Sequence, residues 1–284
     1  MRVIKTVKEM EGVAKALRRS GKSVGFVPTM GYLHEGHLSL VKAARRENDT
    51  VVMSIFVNPI QFAPGEDLKK YPRDEKRDME LAEKEGVDIL FIPSVKEIYP
   101  RKNLTFVEVK EITEYLCGGK RPGHFRGVTT VVAKLFNIVM PDRAYFGKKD
   151  FQQFKVIKKM VEDLNTDVEI VGCPIVRERD GLALSSRNIY LSEEERRSAL
   201  SLYKSLILAK RTIESGEKSV ENIKNRIRDF IFSFPHVKKI DYIEIVDQNS
   251  FEVVEYVKEG DLIALAVFIG NARLIDNWVV GEEL

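Results

Sequence analysis

The chain is predicted to be an α/β protein, with helices covering both faces of a parallel sheet and a smaller α+β domain following. Three observations carry this reading. Short, continuously apolar runs such as 51–57 have the composition of strands buried on both faces. These runs alternate with amphipathic stretches of helical length, the alternation that builds a parallel sheet. After about residue 176 the rhythm changes to two long helices followed by three strand-like runs.

The elements follow in order. Thr6-Val7-Lys8-Glu9 has the spacing of a capping box and starts a helix that ends near Ser20-Gly21. A strand is expected over 24–28, a helix over 36–48, a strand over 51–57, a charged helix over about 74–86 and a strand over 89–92. The stretch 128–140 is apolar nearly all round, as a buried helix is. A short strand at 144–146, a helix at 151–164 and a strand near 168–176 complete a domain over 1–176. Helices at 192–214 and 219–233, then strand-like runs at 240–246, 262–269 and 272–280, make a smaller domain over 177–284.

Ligands of an open α/β sheet bind beyond the carboxyl ends of its strands, and four motifs fall there. The first is Thr29-Met30-Gly31-Tyr32-Leu33-His34-Glu35-Gly36-His37, between the 24–28 strand and the next helix. The N–H groups and positive dipole end of a helix start favour a phosphate. Gly31 and Gly36 let backbone approach a ligand. His34 and His37 supply donors for charge that grows during reaction. The stretch reads as a nucleotide-phosphate site, the plainer alternative being two helix-terminal histidines with no ligand. Zinc is excluded by spacing, since the metalloprotease pattern needs His at i and i+4 and Cys117 and Cys173 are isolated.

The other three motifs are Asn58-Pro59-Ile60-Gln61-Phe62, Gly147-Lys148-Lys149-Asp150-Phe151-Gln152-Gln153, and the run 177–188 containing Leu184-Ser185-Ser186-Arg187-Asn188. Each has an ordinary explanation alone: a turn, a solvated lysine pair, a serine cap. Three of the four glutamines in the chain (Gln61, Gln152, Gln153) are nevertheless expected at one sheet edge, and that convergence favours a joint site. Arg121-Pro122-Gly123-His124-Phe125-Arg126-Gly127 opens the buried helix, either adding charge or capping it. Gly21-Lys22-Ser23 mimics the end of a P-loop, but Ala16 stands where its first glycine belongs. No G-x-G-x-x-G and no G-x-S-x-G occurs.

Composition excludes other classes. The 284 residues carry 46 basic and 43 acidic side chains, a net charge of +3 spread along the chain, which is not the footprint of a nucleic-acid surface. No signal peptide or membrane-length apolar run is seen. Two isolated cysteines fit a reducing cytoplasm. Charged residues reach 31%, and this abundance of Lys and Glu leans towards heat adaptation.

The turn from Thr29 to His37 resembles the histidine signature of the nucleotidyltransferase superfamily that includes class I aminoacyl-tRNA synthetases, and Leu184-Ser185-Ser186-Arg187 resembles their serine-rich second signature. With the asparagine–glutamine and Gly147–Lys148–Lys149 motifs added, the chain resembles the pantothenate synthetase (pantoate–β-alanine ligase) family over nearly its whole length. The family often has an acidic residue where Lys148 stands, whereas Lys149 matches. The resemblance implies a Rossmann-like nucleotide-binding domain, a smaller C-terminal domain closing over the active site, and an ATP-dependent ligase. Pantoate would attack the α-phosphate of ATP to give pantoyl adenylate and pyrophosphate, and the amine of β-alanine would then displace AMP to give pantothenate.

It further implies ATP contacts from Met30, Gly31, Tyr32, Leu33, His34, Glu35, Gly36, His37, Gly147, Lys148, Lys149, Asp150, Val176, Leu184, Ser185, Ser186 and Arg187. His34, His37, Lys149 and Arg187 would be catalytic, with His37 the proton donor. Gln61 and Gln153 would hold pantoate, with Asn58 in the same pocket and Gln61 also against β-alanine. Mg²⁺ would ride on the phosphates with few protein ligands. The resemblance implies a cytoplasmic homodimer whose partners are small molecules, with no membrane or nucleic acid. Two other readings stay open, a nucleotidyltransferase that stops after the first step and a nucleotide sensor without activity. The segment 58–73 is long enough for a flap over the acid pocket.

Overall fold

The computed structural model describes residues 1–284. One unit comprises residues 1–110, 121–148 and 153–174, and a second comprises 111–120, 149–152 and 175–284. In the first, the apolar runs form β1 (Arg2–Ile4), β2 (Val24–Thr29), β3 (Thr50–Ile55), β4 (Ile89–Phe91), β5 (Arg143–Gly147) and β6 (Glu169–Cys173). All pair in parallel, in the order β1-β4-β3-β2-β5-β6. Through this part of the chain run the helices α1 (Val7–Arg19), α2 (Glu35–Glu47), α3 (Glu75–Lys84), α4 (Val95–Ile98), α5 (Leu116–Lys120), α6 (His124–Val139) and α7 (Phe151–Asp163).

The pleat sends successive residues of a strand to opposite faces, and here both faces are apolar. Phe26, Val52 and Phe91 pack with Met10, Val132 and Ile157 on one side. Val27, Val51, Met53 and Leu90 pack with Val41 and Ala82 on the other. Strand order reverses between β2 and β5. Crossovers leave in opposite directions at such a point, opening a crevice beyond the carboxyl ends of the two strands. The histidine turn follows β2, and β5 ends at Gly147.

Several boundaries differ from expectation for physical reasons. Helix α6 starts at His124 rather than 128, because Gly123 in the left-handed region (φ 80°) sets the entry turn. Strand β1 has three residues, too few to give a periodic signal. Thr6 caps α1 by accepting from Glu9 N at 3.3 Å, but the return half of the capping box is replaced: the Glu9 carboxylate accepts from Arg2, and Glu97 accepts the Val7 N–H. The segment 58–73 holds 3-10 turns at Pro59–Gln61 and Asp67–Lys69, and the Glu66 carboxylate accepts two hydrogen bonds from Arg121 at 2.7 Å each.

The second unit is an antiparallel meander of β7 (Val237–Asp247), β8 (Asp261–Ile269) and β9 (Ala272–Val279), with α8 (Glu193–Glu214) and α9 (Val220–Phe232). Ser192 and Glu195 form a complete capping box at the start of α8. Ile263, Leu265 and Val267 of the central strand β8 face Leu206 and Ile227 of the helices. Leu262 and Ala264 face the other way, where Leu116 and Phe151 cover them. That apolar contact explains why 111–120 and 149–152 belong with this unit, whereas the sequence suggested one cut at 176/177. Gln152 adds to it: its Oε1 accepts from Cys117 N (3.0 Å) and Gly118 N (3.4 Å), and its Nε2 donates to Ile112 O and Tyr115 O (both 2.9 Å).

The 3-10 turn bearing Gln61 approaches α6 very closely. A Cβ on Gly127 would lie 2.6 Å from both Gln61 Cα and Ile60 O. Gly127→Ala is therefore expected to lower stability by about 1–3 kcal/mol through overpacking against backbone, despite alanine's better helix propensity. Urea unfolding of the two proteins checks this, and an alanine variant as stable as the parent would show the contact to be loose.

Candidate active site

Beyond β2 the chain turns through two consecutive residues in the left-handed region, Gly31 (φ 83°) and Tyr32 (φ 51°). A buried carboxylate holds this turn. Asp78 on α3 accepts from Tyr32 N and Leu33 N, both at 2.7 Å. The residue is 1% exposed. Burial pushes its pKa above the ordinary carboxylate range, and the two backbone donors pull against that push. Gly31 packs so closely that a Cβ there would meet Ile55 Cγ2 at 2.9 Å and Asp78 Oδ2 at 3.0 Å. Thr29 Oγ1 closes the turn by accepting from Gly31 N at 3.1 Å.

The same turn delivers the two histidines to the start of α2. His34 is the N-cap, and its Nδ1 accepts from Gly36 N at 3.1 Å. His37 Nδ1 accepts from His34 N at 3.3 Å. The rings lie 4.0 Å apart, centroid to centroid. A nitrogen that accepts from a backbone N–H carries no proton, so each neutral ring bears its hydrogen on Nε2. The imidazoles thus replace Ser, Thr or Asp as cap and present Nε2–H donors at the positive end of a helix.

The amide pair lies on the same unit. Asn58 (1% exposed) donates from Nδ2 to Gln61 Oε1 at 3.0 Å and to Gly127 O at 3.1 Å, and its Oδ1 accepts from the Tyr99 hydroxyl at 2.9 Å. Gln61 Nε2 meets Met30 Sδ at 3.3 Å. Behind the turn, Arg121 Nη1 donates to His124 Nε2 (3.0 Å), so His124 Nδ1–H donates to Gln61 O (2.9 Å). Burial acts to raise the Glu66 pKa, but the Arg121 hydrogen bonds and charge outweigh it and hold it below the usual glutamate range. Gln153 is half-buried on α7 in this unit.

Lys148–Asp150 form a 3-10 turn, of which Lys149 and Asp150 belong to the second unit. Lys149 Nζ lies 3.4 Å from Asp150 Oδ2. Residues 177–184 fold back as a short hairpin in which Arg177 bridges Ala183 and Leu184 N donates to Val176 O. Ser185 Oγ then caps a 3-10 turn at Ser186–Tyr190 by accepting from Arg187 N at 3.2 Å. Ser186 is buried and Arg187 half-exposed. Lys149, Ser185, Asn188 and Asp276 line one small cavity of this unit.

The pantoate-β-alanine ligase family model matches residues 2–279. The chain belongs to the pantoate-β-alanine ligase family. It is 62% identical to the pantothenate synthetase of Caldicellulosiruptor bescii over 99% of both chains. It is similar to the crystal structure of pantothenate synthetase from Thermus thermophilus, with a TM-score of 0.93, 48% identity and coverage of 98% of this chain and 99% of that one. The pantoate-β-alanine ligase of Francisella tularensis, solved with β-γ ATP and β-alanine, matches at a TM-score of 0.81 and 38% identity, covering 98% and 97%.

For a member of this family, the first unit joins His34 with His37 and Asn58 with Gln61 and Met30. The second gathers Lys149 and Ser185 around one cavity. Two expectations need correcting. Gln152 is fully used in tying 111–120 to the second unit, so the glutamines do not act as a set of three. Leu33 offers no side chain to a ligand: it is wholly buried in the core, and its N–H is committed to Asp78. Sequence reasoning missed Asp78, Tyr99 and Asp276, because each reaches its loop from a distant element. Asp78 gave the one available signal, an acidic side chain on the core-facing side of a charged helix.

Asp78→Asn keeps the size but offers one oxygen to two backbone donors. An unsatisfied buried N–H costs about 1–3 kcal/mol. The variant is expected to lose that much stability in urea unfolding and to lose catalytic rate as the histidine turn shifts. Parental stability and rate together would remove Asp78 from this role.

Proposed function

We propose that this chain condenses pantoate with β-alanine, using ATP and releasing AMP and pyrophosphate. The observation that carries the proposal is the family match over residues 2–279, which spans every motif described above. The solved relative with β-γ ATP and β-alanine supports the choice of substrates.

The mechanism follows from the side chains. Pantoate's carboxylate oxygen attacks the α-phosphorus, forming a P–O bond while the bond to pyrophosphate breaks. Negative charge gathers on phosphate oxygens, and the Nε2–H groups of His34 and His37, with the helix start behind them, are donors suited to it. Lys149 and Arg187 add positive charge, while Ser185 and Ser186 add neutral donors. A Cβ at Gly147 would meet nothing within 4 Å; with packing making no demand for glycine there, close approach of a phosphate to backbone accounts for it. Met30, Gly31, Tyr32, Glu35, Gly36, Lys148, Asp150, Val176 and Leu184 complete the ATP contacts, and Leu33 contributes through backbone alone.

Gln61, Gln153 and Asn58 hold pantoate. Gln61 Nε2 rests against a thioether sulfur, a weak acceptor, so a carboxylate or hydroxyl displaces it at little cost. In the second step the β-alanine nitrogen attacks the acyl carbonyl, the C–O bond to AMP breaks, and the amine sheds a proton. Substrate attacks substrate, so the protein acts by positioning and charge. No three His, Cys, Asp or Glu side chains converge on one point. Magnesium would ride on the polyphosphate with few protein ligands. When bound it would offset phosphate charge.

A nucleotidyltransferase that stops after the first step has no use for the amide pair and is the weaker reading. We also assign a cytoplasmic homodimer, on the family resemblance and the two free cysteines. No helix is long and apolar enough to cross a membrane.

AMP and pantothenate are expected only when ATP and both acids are supplied, and labelled pyrophosphate should exchange into ATP with pantoate alone. Exchange that requires β-alanine would point to a different first step. Gln61→Glu places a negative charge beside the anionic acid; like charges about 4 Å apart repel by roughly 4 kcal/mol at an effective dielectric near 20. Pantoate affinity measured by calorimetry should collapse in this variant with ATP affinity little changed. Unaltered pantoate binding would sink the pocket assignment.

A further inference from the structure

Two consecutive residues of β9 reach separate loops of the second unit. Asp276 shares its strand face with Leu274 and Trp278, which pack against α8 and α9. Asn277 shares the opposite face with Val279, which packs with Phe151. Asp276 accepts from both ends of the Arg177 guanidinium, at 2.7 and 2.9 Å. Arg177 Nη1 also donates to Gly181 O at 3.1 Å, and the guanidinium lies over the Tyr203 ring at 4.6 Å. Arg196 of α8 ties down the same hairpin through Glu178 and Asp180. On the other face, Asn277 Nδ2 donates to Lys149 O at 2.8 Å. Asp276 Oδ1 in turn accepts from Asn277 N at 2.8 Å.

A buried ion pair is a poor source of stability, since desolvation offsets its attraction. An apolar pair would secure this sheet equally well. What the polar pair adds is a fixed relation, through one pleat, between the hairpin leading to Ser185, Ser186 and Arg187 and the backbone of Lys149. The bonded cavity wall shows the result, with Lys149, Ser185 and Asp276 around one space.

We propose that Asn277 is a positioning residue for the adenylation chemistry: its side-chain amide fixes the Lys149 carbonyl, and through it the Lys149 ammonium, while Asp276 fixes Asn277 relative to the serine–arginine turn. The proposal rests on the ligase reading and on the charge role given there to Lys149.

The test is a mutant cycle of Asn277→Ala, Lys149→Ala and the double variant, with Asn277→Asp as the isosteric control. It is read as kcat and KM for pantothenate formation well below each protein's Tm. Asn277→Ala should lower kcat about tenfold, the scale of one lost hydrogen bond, with the KM for pantoate unchanged. Lys149→Ala should lower kcat more, about a hundred- to thousandfold, and the double variant should match Lys149→Ala alone, because Asn277 then has nothing left to position. Asn277→Asp should be worse than alanine at neutral pH, setting a carboxylate against the carbonyl, and should recover as pH falls and the acid regains its O–H donor. A packing role alone predicts the reverse order, with the isosteric variant near wild type. Losses that multiply in the double variant, or a kcat for Asn277→Ala within about twofold of wild type, overturn the inference. A wild-type protein that makes no pantothenate sinks the ligase reading itself, and the inference with it.

Discussion

The reversal of strand order between β2 and β5 is the constraint on which the first unit depends. Parallel strands need long crossovers, and crossovers of one hand put helices on whichever face the direction of travel dictates. Moving one way from β2 builds β3 and β4; moving the other way builds β5 and β6. Helices consequently cover both faces, and both faces must be apolar. Polar chemistry is thereby driven to the carboxyl edge, where the histidine turn and Gly147 emerge from neighbouring strands.

At that edge the apolar frame gives way to small polar networks, each built around one buried acceptor or amide. Asp78 takes two backbone donors of the histidine turn. Asn58 joins Gln61, Gly127 and Tyr99. The second unit has a network of its own, in which Arg177 and Asp276 clasp a hairpin. Such networks add little net stability, but each permits one arrangement of its loop, and satisfied polar networks specify geometry in a way that apolar contacts do not.

Much of this was legible in the sequence. Strands β2 and β3 announced themselves as apolar runs, and α8 as a long helical stretch over 192–214. The histidine motif declared a helix start, and its glycines a turn. What could not be read was whatever depends on long-range pairing. The Nδ1 caps look like any His-x-x-His spacing. Gln152 and Gln61 are the same residue type at similar positions, yet one is spent on four structural bonds while the other meets a sulfur and an asparagine. The exchange of 111–120 and 149–152 to the second unit rests on Leu116 and Phe151, two apolar side chains among many. Gly127 was seen as part of a helix-opening motif; that backbone presses against it only the folded chain reveals.

The histidine cap has a consequence for the cost of substrate capture. A ring tethered through Nδ1 cannot turn over without placing a carbon where the backbone N–H expects a lone pair. Both imidazoles therefore give up rotational freedom when the helix forms, long before a nucleotide arrives. The entropy of aiming them is charged to folding, whose cooperativity can absorb it, and under the proposed function a phosphate that met donors already oriented would keep more of its interaction energy.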